Sequence, residues 1–288
     1  MHRKIKVFLP IFVSVILLTF FLFTQLSLAK NENLRIYFFD VGQGDSIFIR
    51  TPEGRDILID GGPDSTVLQR LGETLPFWDR SIDMVVLTHP HADHIDGLNE
   101  VLKRYKVDEV LEPDLKNPPD NEKYFDSLTQ IQDSKEEKVA KGEIFNLGQD
   151  LNLEILYPLT FQEDEKDLND DSIVMRLNYK GKKFLFTGDA TENVEMKIED
   201  QDLKSDFLKV GHHGSRYSSS QKFLEAVRPT ISIISVGQGN SFGHPTQDTL
   251  DRLNNVGSRV LRTDKAGTVE VDVENTGEWK IRCSKGCG

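Results

Sequence analysis

The chain has 288 residues, of which 38% are hydrophobic and 28% are charged. This composition is that of an ordinary globular protein, and it excludes a disordered tail, a collagen and a protein with many membrane spans. Lysine and arginine number 35 against 47 aspartate and glutamate residues, a net charge of −12, which excludes a general electrostatic attraction for polyanions such as nucleic acid.

The N-terminal residues 1–29 are predicted to be a targeting segment. Arg3, Lys4 and Lys6 are followed by residues 7–29, which carry no charge. A signal-peptide core has about 7–15 apolar residues and a spanning helix needs roughly 20, so this is either a signal peptide or a retained N-terminal membrane anchor. Basic residues hold the N-terminal side in the cytoplasm. We therefore expect residues 30–288 to be one extracytoplasmic domain, secreted or anchored to the membrane by one helix.

The first part of this domain is predicted to be rich in strands. Short apolar runs between Gly, Pro and Asp predict an antiparallel meander, and a fully apolar strand then precedes a helix over 96–105. Residues 114–141 are polar and are predicted to be a surface excursion that contains a charge-rich helix. Residues 161–171 are predicted to be an acidic loop. The predicted strands are 34–39, 46–49, 56–59, 84–87, 107–111 and 145–157.

The second part alternates strands with helices. Strands are predicted over 172–179, 183–187, 207–210, 230–236, 259–262 and 268–273. Helices are predicted over 191–199, 221–227 and 246–255. The chain thus shows the same order of elements twice, with strands first and then mixed strands and helices. This order favours a layered α/β sandwich in one domain.

Six of the seven histidines fall into three clusters, mostly where predicted strands end. They are His89, His91 and His94; His212 and His213; and His244. Alternate residues of a tight loop point together, so His89 and His91 can bind one metal. Asp93 and His94 are adjacent and diverge, so they would serve a second metal nearby. Imidazole and carboxylate ligands suit zinc, iron or manganese.

This His-x-His-x-Asp-His motif resembles the metal signature of the metallo-β-lactamase superfamily of hydrolases. Within it, the chain is similar to the ComEC-type competence hydrolase domain, without the membrane channel that accompanies that domain. The resemblance covers roughly residues 34–273 and implies an αββα sandwich with its site at the strand ends between the sheets. The other motifs that carry it are FDVGQGDS at 39–46, IDGG at 59–62, FTGD at 186–189, VGHHGS at 210–215 and GHP at 243–245.

The resemblance implies a role for each matched position. Asp189 would bridge two divalent ions, zinc or manganese. The full implied ligand set is His89, His91, Asp93, His94, Asp189 and His212. Asp60 would orient a site histidine from outside this set. His213 would support a metal ligand from outside the set, contact the substrate or serve as an alternative ligand. Asp45 or Gln43 would reach the site, and His244 would contact the substrate or leaving group, which makes it, with Asp93, a candidate catalytic residue.

One expected ligand is missing from the pattern. Most of the superfamily supplies a further histidine before the bridging aspartate, and this chain has no histidine between residues 95 and 211. Asn169, Asp170 or Asp171 occupies the equivalent region. An oxygen ligand there would favour manganese over zinc.

The implied reaction is hydrolysis by a hydroxide that bridges the two metals. The resemblance points to phosphodiester cleavage, with DNA outside the cell as substrate. Two alternatives stay open, namely hydrolysis of a small extracellular ester, lactone or phosphorylated metabolite, and a non-catalytic metal-binding module. The sequence does not indicate an oligomeric state.

Two further groups of residues bear on the nuclease hypothesis and on the compartment. A local basic patch of Arg216, Lys222, Arg259, Arg262 and Lys265 would offset the acidic charge beside the site. Cys283 and Cys287 would close a small disulfide ring outside the cell, or lie in a frayed tail.

Overall fold

The computed structural model describes residues 12–19, 21, 33–161 and 167–288. Residues 12–19 and 21 are helical, and we call them α1. Most of the targeting segment predicted over 1–29 lies outside the described residues, so the choice between signal peptide and anchor stays a prediction. Within the described ranges, no helix combines the length and apolarity that a membrane crossing requires.

Fifteen strands and seven further helices follow in the described residues. The strands are β1 (Leu34–Phe38), β2 (Ile47–Arg50), β3 (Asp56–Ile59), β4 (Ser81–Val86), β5 (Lys106–Glu112), β6 (Lys135–Lys138), β7 (Ile144–Gly148), β8 (Leu151–Tyr157), β9 (Val174–Tyr179), β10 (Lys182–Phe186), β11 (Phe207–Lys209), β12 (Ile231–Ile234), β13 (Arg259–Arg262), β14 (Val269–Val273) and β15 (Trp279–Cys283). The helices are α2 (Thr66–Thr74), α3 (Ala92–Leu102), α4 (Asp120–Gln132), α5 (Glu192–Lys197), α6 (Gln221–Val227), α7 (Gln247–Asn255) and α8 (Thr263–Ala266).

The strands form two mixed sheets. The first has the order β15-β14-β1-β2-β3-β4-β5-β6, and the second has the order β13-β12-β11-β10-β9-β8-β7. In the first sheet β1, β2 and β3 pair antiparallel, as the meander prediction required, and β3 to β6 run parallel. In the second, β10 to β13 run parallel. Parallel strands end at one edge of a sheet, so the loops that follow them gather there.

Three apolar layers hold the sheets and helices together. The largest lies between the two sheets and includes Ile57 and Phe184. A second layer packs Leu98 of α3 and its neighbours on the outer face of the first sheet. A third packs α5, α6 and α7 on the second sheet, with Leu224 and Leu253 fully buried. Helix, sheet, sheet and helix are thus stacked in that order, which confirms the predicted αββα sandwich.

Some local elements differ from the sequence predictions. Helix α3 begins at Ala92, not at residue 96, so the metal motif runs into its first turn. The charge-rich helix predicted within 114–141 is α4, but the same region also contains the edge strand β6, which was not predicted and whose sequence KEEK has no apolar residue. Helix α2 was not predicted, because only a narrow stripe that includes the buried Val67 and Leu71 faces the sheet.

A close backbone contact fixes α3 against the end of β3. A Cβ atom on Gly97 would lie 1.8 Å from the carbonyl oxygen of Gly61, so this approach requires glycine. The Gly61 amide donates to the His94 carbonyl at 2.7 Å, and the Gly97 amide donates to the Gly62 carbonyl at 2.9 Å. The contact sets Asp60, at the end of β3, beside His94.

The two cysteines form a disulfide, Cys283–Cys287, at the end of the edge strand β15. The two residues are four apart in sequence, so the bond closes a small ring. The loss of chain entropy in the unfolded state then stabilises the fold by about 2 kcal/mol at 25 °C. We expect dithiothreitol to lower the free energy of unfolding in urea by about this amount. The Cys283→Ser/Cys287→Ser variant should match the reduced parent. A changed metal affinity would contradict a purely local role for the ring.

Candidate metal centre

The functional side chains gather where strands of both sheets end. Asp60 follows β3, and Asp189 follows β10 after a glycine with a φ of 50°. The motif residues His89 and His91 follow β4, whereas Asp93 and His94 lie in the first turn of α3. The first sheet and its helix therefore supply one side of the site and the second sheet supplies the other.

Four side chains converge at this point, and we call them the metal cluster. The ligand atoms of Asp93, His94, Asp189 and His213 all lie within 4.8 Å of one another. His213 Nε2 is 3.1 Å from Asp93 Oδ2 and 3.3 Å from Asp189 Oδ2. His94 Nε2 is 3.4 Å from Asp189 Oδ2.

The metal cluster fits a divalent cation. His94 Nε2 and Asp189 Oδ1 are buried and lack a hydrogen-bond partner, although buried polar atoms are normally satisfied. Two imidazoles with two carboxylates form a donor set that zinc, iron or manganese accepts. A cation among these atoms would satisfy them and offset the carboxylate charge.

A second pair of imidazoles lies next to the cluster. His89 Nε2 is 3.1 Å from His91 Nδ1, and the ring centroids of His89 and His94 are 4.2 Å apart. Burial, together with the charge of His94, lowers the pKa of His89 well below its usual value, which keeps it in the neutral form that binds metals. Within the described residues, this pair belongs to no group of three or more potential ligands within 4.8 Å.

Asp60 orients His94 from behind. Its Oδ2 lies 2.8 Å from His94 Nδ1, and it accepts the amide and hydroxyl of Thr88 at 2.8 and 2.7 Å. Burial alone would lower the pKa of His94, but the carboxylates of Asp189 and Asp60 outweigh it and raise the pKa to about 10. The contact also fixes which nitrogen of His94 faces the cluster.

A buried lysine that the sequence analysis did not single out supports the carboxylates. Lys209, the last residue of β11, is fully buried and forms an ion pair with Asp45. Its Nζ lies 3.5 Å from Asp189 Oδ1 and donates to the Gly188 carbonyl at 2.9 Å. Burial would raise the pKa of Asp45, but Lys209 and His213 lower it. A charged residue inside the apolar run 207–210 was the available signal, since lysine is rarely buried without a partner.

The two neighbouring histidines after β11 take different places. Both have positive φ angles, 48° for His212 and 53° for His213. His213 lies in the metal cluster, and its Nδ1 lies 2.9 Å from the Ser235 carbonyl oxygen. His212, assigned as a ligand by resemblance, lies outside the metal cluster and lines a cavity of about 280 Å³ together with Tyr217 and four other residues. Its role as a ligand stays a prediction.

The other sequence-predicted positions lie around the cluster and not in it. Asp170 accepts from Thr191 and from Asn193, which fixes the start of α5. Asn169 and Asp171 are buried in the same turn. Neither of the two aspartates belongs to a group of three or more histidine, cysteine or carboxylate ligands in the described part of the chain.

The glycine-rich loop after β12 forms one rim of the site. The side-chain oxygen of Gln43 accepts the Gly237 amide at 3.2 Å, so Gln43 supports this loop. His244 lies in the loop, stacked with the exposed Phe242 and 5.8 Å from the His212 ring. Burial and the two histidines after β11 lower the pKa of His244 to about 4.

Comparisons with known proteins agree with this geometry. Residues 39–238 match the family model of the metallo-beta-lactamase superfamily. The chain belongs to this superfamily. That confirms the resemblance stated from its motifs.

Among curated members, the chain is similar to ComE operon protein 3 of Bacillus subtilis (strain 168), at 32% identity over 82% of this chain and 32% of that protein. It is also similar to competence protein ComA of Neisseria gonorrhoeae, at 27% identity over 89% of this chain and 35% of that protein. The chain thus spans about a third of the length of these relatives.

A solved structure shows the superfamily fold at greater distance. CmlA, a diiron β-hydroxylase from Streptomyces venezuelae, aligns with a TM-score of 0.55 and 17% identity, over 80% of this chain and 52% of that protein. This likeness confirms the arrangement of sheets and helices and nothing of the chemistry.

Metal binding at this superfamily site should release protons. The pKa of His94 is about 10, and the carboxylates of Asp189, Asp45 and Asp93 outweigh burial and raise the pKa of His213 well above its usual value. Both are protonated at pH 7 without metal, and a ligand imidazole must be neutral. We expect release of up to two protons per ion and an affinity that rises with pH below about 10.

Calorimetric titration of the metal-free protein in two buffers of different ionisation enthalpy measures this release. Asp60→Asn removes one of the carboxylates that raise the pKa of His94, so it should reduce the number of protons released. An apparent binding enthalpy that is the same in both buffers would contradict the prediction.

Proposed function

We propose that the chain is a metal-dependent phosphodiesterase that cleaves nucleic acid outside the cytoplasm, secreted or tethered through residues 1–29. The observation that carries the proposal is the buried metal cluster of Asp93, His94, Asp189 and His213 within a superfamily domain. The name of one relative, competence protein ComA, supports a nucleic-acid substrate.

We propose a separate role for each residue of the site. A divalent ion held by the metal cluster would supply Lewis-acid charge and activate water for attack, and we propose a second ion at His89 and His91. Asp60 holds His94 in place, and Lys209 holds Asp45 and Asp189. His244, whose low pKa keeps it neutral at pH 7, is placed on the rim to accept a hydrogen bond or a proton from bound substrate.

A second candidate, hydrolysis of a small ester, lactone or phosphorylated metabolite, is favoured by the charge around the site. The cavity beside His212 includes Asp167 and Glu192 in its wall, which repel a polyanion. Two members of the expected basic patch are neutralised, since Lys222 pairs with Glu199 and Arg262 pairs with Asp264. Nucleic-acid cleavage then depends on the charge of the bound ions.

Hydrolysis assays on the full chain separate these functions. The protein is stripped of metal, refilled with manganese or zinc, and tested on bis-p-nitrophenyl phosphate and on linear single- and double-stranded DNA. We expect cleavage of all three by the refilled protein and none by the stripped protein. Asp93→Asn should be inactive, whereas Asp120→Asn, at an exposed carboxylate of α4, should behave as the parent.

Each other outcome has a defined meaning. Turnover of bis-p-nitrophenyl phosphate without DNA cleavage would replace the nuclease proposal by the small-substrate candidate. Stoichiometric metal without turnover on phosphodiesters, esters or lactones would contradict a hydrolase and support a metal-binding module.

A further inference from the structure

An exposed aromatic pair occupies the end of the molecule opposite the metal cluster. Phe77 and Trp78 have 79% and 69% of their surface exposed, and their rings contact each other edge to face at 4.8 Å. The other exposed aromatic residues of the described range 33–288 are not adjacent in sequence. Exposed apolar surface of this kind marks an interaction site more often than chance.

The pair is held on a fixed turn. The Asp79 amide donates to the Pro76 carbonyl at 2.9 Å, which places the two aromatic residues at the tip. Asp79 is held in turn by Arg50, with Nη2 and Oδ2 3.3 Å apart, and Arg50 also binds Asp56. Asp79 is thus paired with Arg50, and Arg80, the next residue, donates to the Tyr105 hydroxyl at 3.0 Å, so both charged residues that follow the aromatic pair are held by the first sheet and its neighbours.

The sheet topology relates this turn to the N-terminal segment. β1 and β4 run in the same direction, because each step from β1 to β2 to β3 is antiparallel and β3 to β4 is parallel. The start of β1, where the chain arrives from residues 1–32, therefore lies at the same edge of the sheet as Ser81 and the turn before it. His89 lies eight residues further along, roughly 26 Å away at about 3.3 Å per residue.

We propose that Phe77 and Trp78 insert into the headgroup region of a phospholipid bilayer. The inference rests on the proposed membrane attachment through the uncharged residues 7–29, which reach the domain at this same edge. Tryptophan and phenylalanine are the residues that favour the boundary between headgroups and acyl chains. The pair would fix the orientation of the domain, so that the metal cluster faces away from the membrane towards the aqueous phase.

Tryptophan fluorescence of the full chain in phosphatidylcholine vesicles tests this orientation. The chain has two tryptophans, and Trp279 packs against Phe207 at 5.2 Å, so Trp279→Phe leaves Trp78 as the reporter. We expect loss of most of its emission when the lipid is brominated in the upper acyl chain, and protection from acrylamide. The matched control carries Trp78→Phe, Trp279→Phe and Phe242→Trp, which puts the reporter beside His244 on the rim of the site. The fluorescence of this control reporter should be quenched by acrylamide and not by the brominated lipid.

Other results overturn the proposal. Quenching of neither reporter, of both, or of the Phe242→Trp reporter alone would each show a different arrangement at the membrane. If Trp279→Phe unfolds the chain by circular dichroism, the difference in lipid quenching between the parent and Trp78→Phe gives the same information. The assay reads no hydrolysis, so its failure leaves the phosphodiesterase proposal untouched.

Discussion

Replacing Asp189 with asparagine should lower the metal affinity of the chain by at least about 100-fold. Loss of a residue that only hydrogen-bonds to a metal ligand costs roughly 10–100-fold, and loss of a ligand should cost more. Asp189 lies nearest the middle of the metal cluster, with Oδ2 within 3.4 Å of both His94 and His213. The amide keeps the shape of the side chain but removes the charge. Titration of the metal-free variant with zinc or manganese, followed by metal analysis after gel filtration, measures the loss.

Asp202→Asn provides the matched control for this substitution. Asp202 is 64% exposed and pairs with Lys183 on the surface of the second sheet, so its loss should leave the metal affinity unchanged. If Asp189→Asn bound metal as tightly as the parent, the metal cluster would not be the metal site. Phosphodiester hydrolysis, if present in the parent, should fall in parallel with the bound metal.

Lys209→Met should lower the free energy of unfolding by about 3–5 kcal/mol, because it removes one partner of the buried ion pair between Lys209 and Asp45. Lys209 has no exposed side-chain surface, and Asp45 has 2%. Burial would raise the pKa of Asp189, but His213, His94 and Lys209 keep it well below the usual value. Urea unfolding of the metal-free proteins, followed by circular dichroism, measures the effect as a lower midpoint.

Two variants separate the charge effect from simple loss of packing. Lys222→Met removes a surface lysine that is 78% exposed and paired with Glu199, and it should cost less than about 1 kcal/mol. Lys209→Met/Asp45→Asn removes the strongest contact together with its partner and should regain part of the loss. A Lys209→Met protein with the urea midpoint of the parent would show that the buried ion pair does not stabilise the fold.

The fold was predictable because its pattern is strong over many residues. The buried strands read as short apolar runs, and the order of the motifs identified the superfamily. One element that escaped prediction, β6, carries no apolar signal in its own residues. β6 is formed by Lys and Glu residues and pairs at the edge of the sheet through its backbone, and periodicity detects only side-chain patterns.

The site was predictable in composition but not in geometry. His212 and His213 are adjacent and identical, so their sequence cannot show which one faces the metal cluster. Long-range contacts distinguish them, because His213 Nε2 lies 3.1 Å from Asp93 Oδ2 whereas His212 lines the cavity beside Tyr217. The role of Lys209 was hidden for a related reason, because its partners Asp45 and Asp189 are remote in sequence.

We expect the division of the metal cluster between the two sheets to couple metal binding to folding. Asp93 and His94 come from the side of the first sheet, and Asp189 and His213 from that of the second. An ion bound by all four exists only when the sheets are docked, so its binding free energy is also docking free energy. A hundredfold excess of metal over its dissociation constant would add about 2.7 kcal/mol. Scarcity of the ion in the surroundings would therefore lower the free energy of unfolding of the chain as well as empty its site.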